Sequence, residues 1–113
     1  MVKITETIYH ICQRKDWEAA QEIGGYRADS LESEGFIHCS GEDQVAEVAN
    51  FIFKGMDDLV LLHIAVDKLQ SELRWEESEG GEFPHIYGPI GLDAVTAVVD
   101  FAAGEDGIFR FPE

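Results

Sequence analysis

The chain has 113 residues, 45% of them hydrophobic, and sets 23 Asp and Glu against 8 Lys and Arg for a formal net charge of −15. That length fits a single domain over 1–113, and the apolar share excludes a disordered chain. The charge excludes generic binding to DNA, RNA or an anionic membrane, since these need a basic stripe and no cluster here exceeds Arg14-Lys15.

The N-terminal residues "MVKITETIYHICQRK" lack the basic start, long apolar run and small-residue cleavage site of a signal peptide. No apolar run approaches the roughly 20 residues that a membrane-crossing helix needs. Cys12 and Cys39 form neither a disulfide framework nor a zinc spacing, so the chain reads as a reduced, cytoplasmic protein. A reactive thiol beside a histidine stays open, against the commoner use of Cys as a small core residue.

Alternation and a richness in β-branched and aromatic residues predict a first strand near 4 to 13. Trp17, Ala20 and Ile23 then stand at helical spacing, and Gly24-Gly25 stops that helix. "YRADSLESEG" reads as a loop with a short helical turn, and "EGFIHCS" (34–40) as a strand. Ser40 and Asp43 form a short capping box ahead of "QVAEVANFIFKG", whose stripe is Val45, Val48, Ala49, Ile52 and Phe53, with Gly55 as the stop. "DLVLLHIAVD" is a strand buried on both faces and interrupted only by His63. "KLQSE" is a turn, "LRWEES" a strand, "EGGE" a flexible acidic loop and "FPHIYGPIG" a short extended segment. "DAVTAVVDF" and "GIFRF" are the closing strands. Helices come early and strands late, which is an α+β arrangement.

Three short segments share one pattern: "TIYHIC", "GFIHCS" and "EFPHIYG". Each places a histidine where a core strand would carry Val, among aromatic residues. In an extended chain alternate side chains share a face, so Phe36, His38 and Ser40 point one way while Ile37 and Cys39 point the other. Phe83, His85 and Tyr87 repeat that order. Imidazole is suited to proton transfer near neutral pH, and aromatic walls suit a flat ring. His10, His38 and His85 are therefore expected around one pocket, with Tyr87 at its mouth and His63 away from it. No strong metal motif and no phosphate loop occurs, and no metal is expected.

Together "IYHI", "EGFIHCS", "LVLLHIAVDKL", "RWE" and "FPHIYGPI" resemble the signatures of a small, mostly bacterial family, domain of unknown function 952. The resemblance covers nearly the whole chain. That family is similar to the ADP-ribosyltransferase fold, an α+β domain with a bent, split β-structure and a nicotinamide-dinucleotide cleft. The resemblance implies NAD or a related nucleotide as ligand, with cleavage of the nicotinamide–ribose bond or transfer of ADP-ribose. His10 would hold the adenosine ribose, with Ser40 and His85 also binding the ligand. His38 and Tyr87 would flank the reacting sugar, and Glu76 (or Glu77) would stabilise its oxocarbenium character. Arg14, Arg27 or Arg74 would offset the pyrophosphate charge. The alternatives are a non-catalytic module for a small metabolite, and a histidine-based hydrolase or metal protein. The sequence leaves the oligomeric state open.

Overall fold

The computed structural model describes residues 6–78 and 81–112. In order it shows β1 (Thr7–Gln13), α1 (Arg14–Ile23), β2 (Gly25–Tyr26), α2 (Asp29–Glu34), β3 (Ile37–His38), α3 (Val45–Ile52), β4 (Leu59–Ala65), β5 (Glu72–Ser78), β6 (Gly81–Tyr87), β7 (Ile90–Gly91) and β8 (Val95–Phe101). Among the described residues all three α-helices precede residue 53, and short 3-10 turns at Val66–Lys68 and Leu92–Ala94 fall between later strands, so the α+β expectation holds. The radius of gyration, 13.7 Å, is that of one compact body of this length, for which about 13 Å is usual.

The strands form three antiparallel sheets, ordered β1-β4-β8, β3-β6-β5 and β2-β7. Side-chain alternation explains how the first two divide the core. On one face of the first sheet Ile8, Cys12, Val60, Leu62 and Ile64 join a cluster that also holds Ile37, Ile86 and Ile90. On its other face Tyr9, Ile11, Leu59 and Leu61 pack with Val45 and Ala49 of α3 and with Phe101 and Phe109. β4 is therefore apolar along its length because both faces are covered, as its sequence predicts. The second sheet buries one face only. Ile37 and Ile86 are fully enclosed, whereas the neighbouring His38 is exposed.

Two contacts stitch the sheets together. Tyr9 and Ser40 exchange backbone hydrogen bonds of 2.8 and 2.7 Å as an isolated antiparallel bridge. One residue on, the His10 ring bonds the backbone of His38.

Several sequence expectations are corrected. α1 ends where predicted, with Gly24 at φ 86°, a left-handed turn that glycine adopts without the Cβ clash. Its Ile23, however, is 73% exposed rather than packed. "EGFIHCS" is not one long strand: Glu34 ends α2 and only Ile37–His38 pair in a ladder. The Ser40–Asp43 capping box does not form. α3 starts at Val45 after Gln44, whose side-chain oxygen accepts from the Gly41 N–H at 2.8 Å, while Ser40 is taken by its bridge to Tyr9. Ile52, placed on the helical stripe, is 61% exposed. Within "EGGE", Gly81 and Glu82 belong to β6, paired with Ser78 and Glu77. Residues 4 and 5 of the expected first strand, and 79 and 80 of that loop, lie outside the described residues.

"GIFRF" is not a strand either. Its backbone is held by a side chain instead: Phe109 N–H donates to Asn50 Oδ1 (2.8 Å), and Asn50 Nδ2–H donates back to the Phe109 carbonyl (2.9 Å). This two-point clip satisfies the main chain as a ladder partner would. It lets Phe109 sink to 1% exposure against Phe101. Among the described residues no helix is long and apolar enough to cross a membrane.

Candidate functional site

A cavity of about 650 Å³ opens between α3 and the uncovered face of β3 and β6. His10, His38 and His85 all border it, as do Tyr9, Ser40 and Phe83. Its far wall is Val48, Phe51, Ile52 and Phe53. The three histidines thus meet at one cavity, as the repeated aromatic–histidine pattern predicts. His63 does not border it. That ring packs edge-on against Tyr9 at 4.9 Å, and its buried Nε2 has no hydrogen-bond partner among the described residues.

The ladder explains the convergence. His38 pairs directly with His85, and His85 with Arg74 on the next strand. All three therefore project from the same side of the sheet. Two residues along, Glu76 stands opposite Phe83 and shares that side. Glu77, one step away, pairs with Glu82 and points to the opposite face, so of the two carboxylates it is Glu76 that reaches the histidines.

His85 is 6% exposed, and its Nδ1–H donates to Glu76 Oε1 at 2.8 Å. A carboxylate only accepts, which fixes the hydrogen on Nδ1 and leaves a lone pair on Nε2. No described residue bonds that Nε2. The Tyr87 hydroxyl donates to the same Glu76 oxygen. These bonds, Tyr87 first, hold the Glu76 carboxyl below the usual carboxylate range, and the same contact raises Tyr87 above the usual phenol value. Phe36 stacks on the His85 ring with centroids 4.1 Å apart and planes 23° from parallel. The Arg74 guanidinium lies 4.7 Å over the Tyr87 ring and pairs with Glu72. Tyr87 itself stands beyond the cavity lining, further along the strand than the expected mouth position.

His38 is more exposed. Its Nε2–H meets Glu34 at 3.1 Å, and its ring crosses His85 edge-on with centroids 5.3 Å apart. His10 differs from both. Its Nδ1–H donates to the His38 carbonyl (2.6 Å), and its Nε2 accepts from the Tyr26 hydroxyl (2.9 Å). Burial pushes its pKa down to about 4, so the ring is neutral at ordinary pH. With both nitrogens occupied inside the protein, a ribose could reach this imidazole only by displacing Tyr26 or the carbonyl. Ser40 borders the cavity with 5% exposure.

The thiols are not poised to react. Burial pushes Cys12 up to about 12 and raises Cys39 as well, so neither forms the thiolate that nucleophilic chemistry needs. None of the arginines expected to offset a pyrophosphate borders the cavity, although Arg74 stands beside His85 on the same side of the sheet, paired with Glu72. Arg14 is paired with Asp58 and Asp100, and no Lys or Arg borders the cavity among the described residues. Among those residues no group of three or more His, Cys, Asp or Glu side chains is set to hold a metal ion.

Sequence reasoning missed Tyr26 and the α3 wall. Tyr26 lay in a segment read as loop. The α3 wall had a visible signal, since Phe51 stands off the apolar stripe of its helix and is 84% exposed.

Comparison with known proteins agrees with this architecture. The family described as "Protein of unknown function (DUF952)" matches residues 11–98. The crystal structure of protein CC0527 from Caulobacter crescentus is similar over 92% of this chain and 93% of its own, at 37% identity and a TM-score of 0.84. The solution NMR structure of CC0527 aligns over 92% and 91%, at 37% identity and a TM-score of 0.79. No curated protein matches the chain.

Proposed function

This chain belongs to the family described as Protein of unknown function (DUF952), and we propose that its cleft binds a small ring-bearing molecule and takes a hydrogen bond or a proton from it at His85 Nε2. One observation carries the reading. A nearly buried imidazole has one nitrogen fixed by a carboxylate and the other unpartnered beside a cavity of small-molecule size. Glu76 is the positioning residue: it sets the tautomer, and its charge stabilises the imidazolium that forms when Nε2 takes a proton. Tyr87 holds Glu76 in turn. Phe36 fixes the ring plane by stacking, and the apolar wall of Val48, Phe51 and Phe53 excludes water from one side of a bound ring.

NAD is the second reading, favoured by aromatic surfaces suited to nicotinamide. It ranks second because the pyrophosphate would bring about two negative charges to a cavity bordered by Glu47 and by no Lys or Arg among the described residues.

The test is a titration of nicotinamide, benzamide, ADP-ribose and NAD, followed through the histidine ring signals by NMR. The neutral amides are expected to shift the His85 signals, and His85→Ala should abolish their binding while circular dichroism stays unchanged. Tighter binding of NAD than of either amide would put the dinucleotide first. No response to any of the four at millimolar concentration would remove both readings.

A further inference from the structure

The cavity has an uneven charge and an uneven hydrogen-bonding capacity. Apart from its histidines, the only charged lining side chain among the described residues is Glu47 on α3, with no Lys or Arg; Arg74, beside His85 on the sheet, is paired with Glu72 and does not border the cavity. Glu42 stands beside the Tyr9 hydroxyl, adding to burial in raising that phenol, and Glu34 pairs with His38. The whole chain carries a formal charge of −15. Such a field raises the local concentration of cations at a cleft and lowers that of anions. The walls add a second preference, because Tyr9, Phe51, Phe53 and Phe83 present aromatic rings, whose faces attract cations. His85 supplies a third and independent one. With Nδ1–H committed to Glu76, the unpartnered Nε2 of this nearly buried ring is an acceptor whenever the ring is neutral. The complementary ligand group is an N–H or O–H donor.

Resting on the small-molecule reading above, we infer that the cleft selects a cationic donor, an amidinium or ammonium group carried on a flat ring, and rejects carboxylates and phosphates. A protonated nitrogen donates to His85 Nε2 and lies against the aromatic wall, within the field of Glu47 and Glu42. A carboxylate or phosphate faces an acceptor nitrogen and the Glu47 carboxylate, with neutral hydroxyls such as Ser30, Ser40 and Ser78 but no Lys or Arg in the lining to offset its lost water, and desolvating an anion without a charged partner is costly.

Benzamidine, benzamide and benzoate test this, being nearly the same in size and shape but positive, neutral and negative. Calorimetric titrations at low salt, buffered near pH 8 above the ordinary histidine range, should rank benzamidine first and benzoate last, about tenfold or more apart. Raising the salt should narrow the gap through screening. Glu47→Gln should narrow it as well. Glu47 is exposed on its helix, so this substitution does not threaten folding. Benzoate binding as tightly as benzamidine would overturn the charge selection and leave the small-molecule reading standing. Failure of all three to bind at millimolar concentration would remove the small-molecule reading, and the selection with it.

Discussion

The two three-stranded sheets use the same kinds of residue to opposite ends. Both carry two histidines among aromatic and aliphatic neighbours. In β1-β4-β8 both faces of the central strand are covered, and His10 is a stitch: its two nitrogens bind His38 and Tyr26 and hold one sheet to the other. In β3-β6-β5 one face is left uncovered, and His85 has only one nitrogen held. Residue type does not separate these histidines. His85 combines an unpartnered ring nitrogen with a place at the cavity, whereas His10 borders the cavity with both nitrogens held and His63 has an unpartnered Nε2 away from it.

The largest effect that sharpens this contrast is in the covered sheet. Leu62 is fully buried at the centre of β4, so Leu62→Ala removes buried methyl groups and leaves a cavity, costing about 2–5 kcal/mol. Leu73, on β5, is only partly buried, and Leu73→Ala should cost less than half as much. Urea unfolding of both variants decides it. Equal losses would mean that the second sheet is as much core as the first.

Next comes the pH response of His10. Its folded pKa is about 4, against an ordinary value of 6.5. Between those values the unfolded chain binds more protons, so stability rises with pH there. The contribution of neutral His10 is complete above pH 6.5 and is lost as pH falls toward 4, a change on the order of 3 kcal/mol. His63, also lowered by burial, adds in the same direction. Stability measured at several pH values should fall across this window in the wild type and less steeply in His10→Asn. Parallel curves would show that the buried stitch is not what senses the proton.

How much of this was legible follows from the range of each interaction. Alternation along β3 and β6 is local, so "GFIHCS" and "FPHIYG" betray a face carrying Phe36, His38, His85 and Tyr87 before any pairing is known. What the rings bond to is not local. His10 finds its partners 28 and 16 residues away, and nothing near it in sequence says that both nitrogens are taken. The choice between Glu76 and Glu77 rested on hairpin register. Ser78 pairs with Gly81, a residue read from "EGGE" as loop, and that register sets Glu76 beside His85. The closing segment misled for a related reason. "GIFRF" alternates as a strand does, but Asn50, 59 residues earlier, supplies the hydrogen bonds a neighbouring strand would have given.

The smallest effect on stability is the most pointed test of the comparison. Glu76 lies at the edge of the uncovered face, so Glu76→Ala should move the unfolding midpoint less than either change above. Its effect on the ring should be large. Without the carboxylate nothing described here fixes the hydrogen on His85 Nδ1, and the two neutral tautomers should both become populated. Nitrogen-15 shifts of the histidine rings report this directly, since protonated and bare nitrogens resonate far apart. In the same sample His10 should keep its single tautomer, because the His38 carbonyl and the Tyr26 hydroxyl are untouched. A His85 ring that kept one tautomer without Glu76 would mean that another group orients it. The proposed base at the cavity would then be positioned by that group instead.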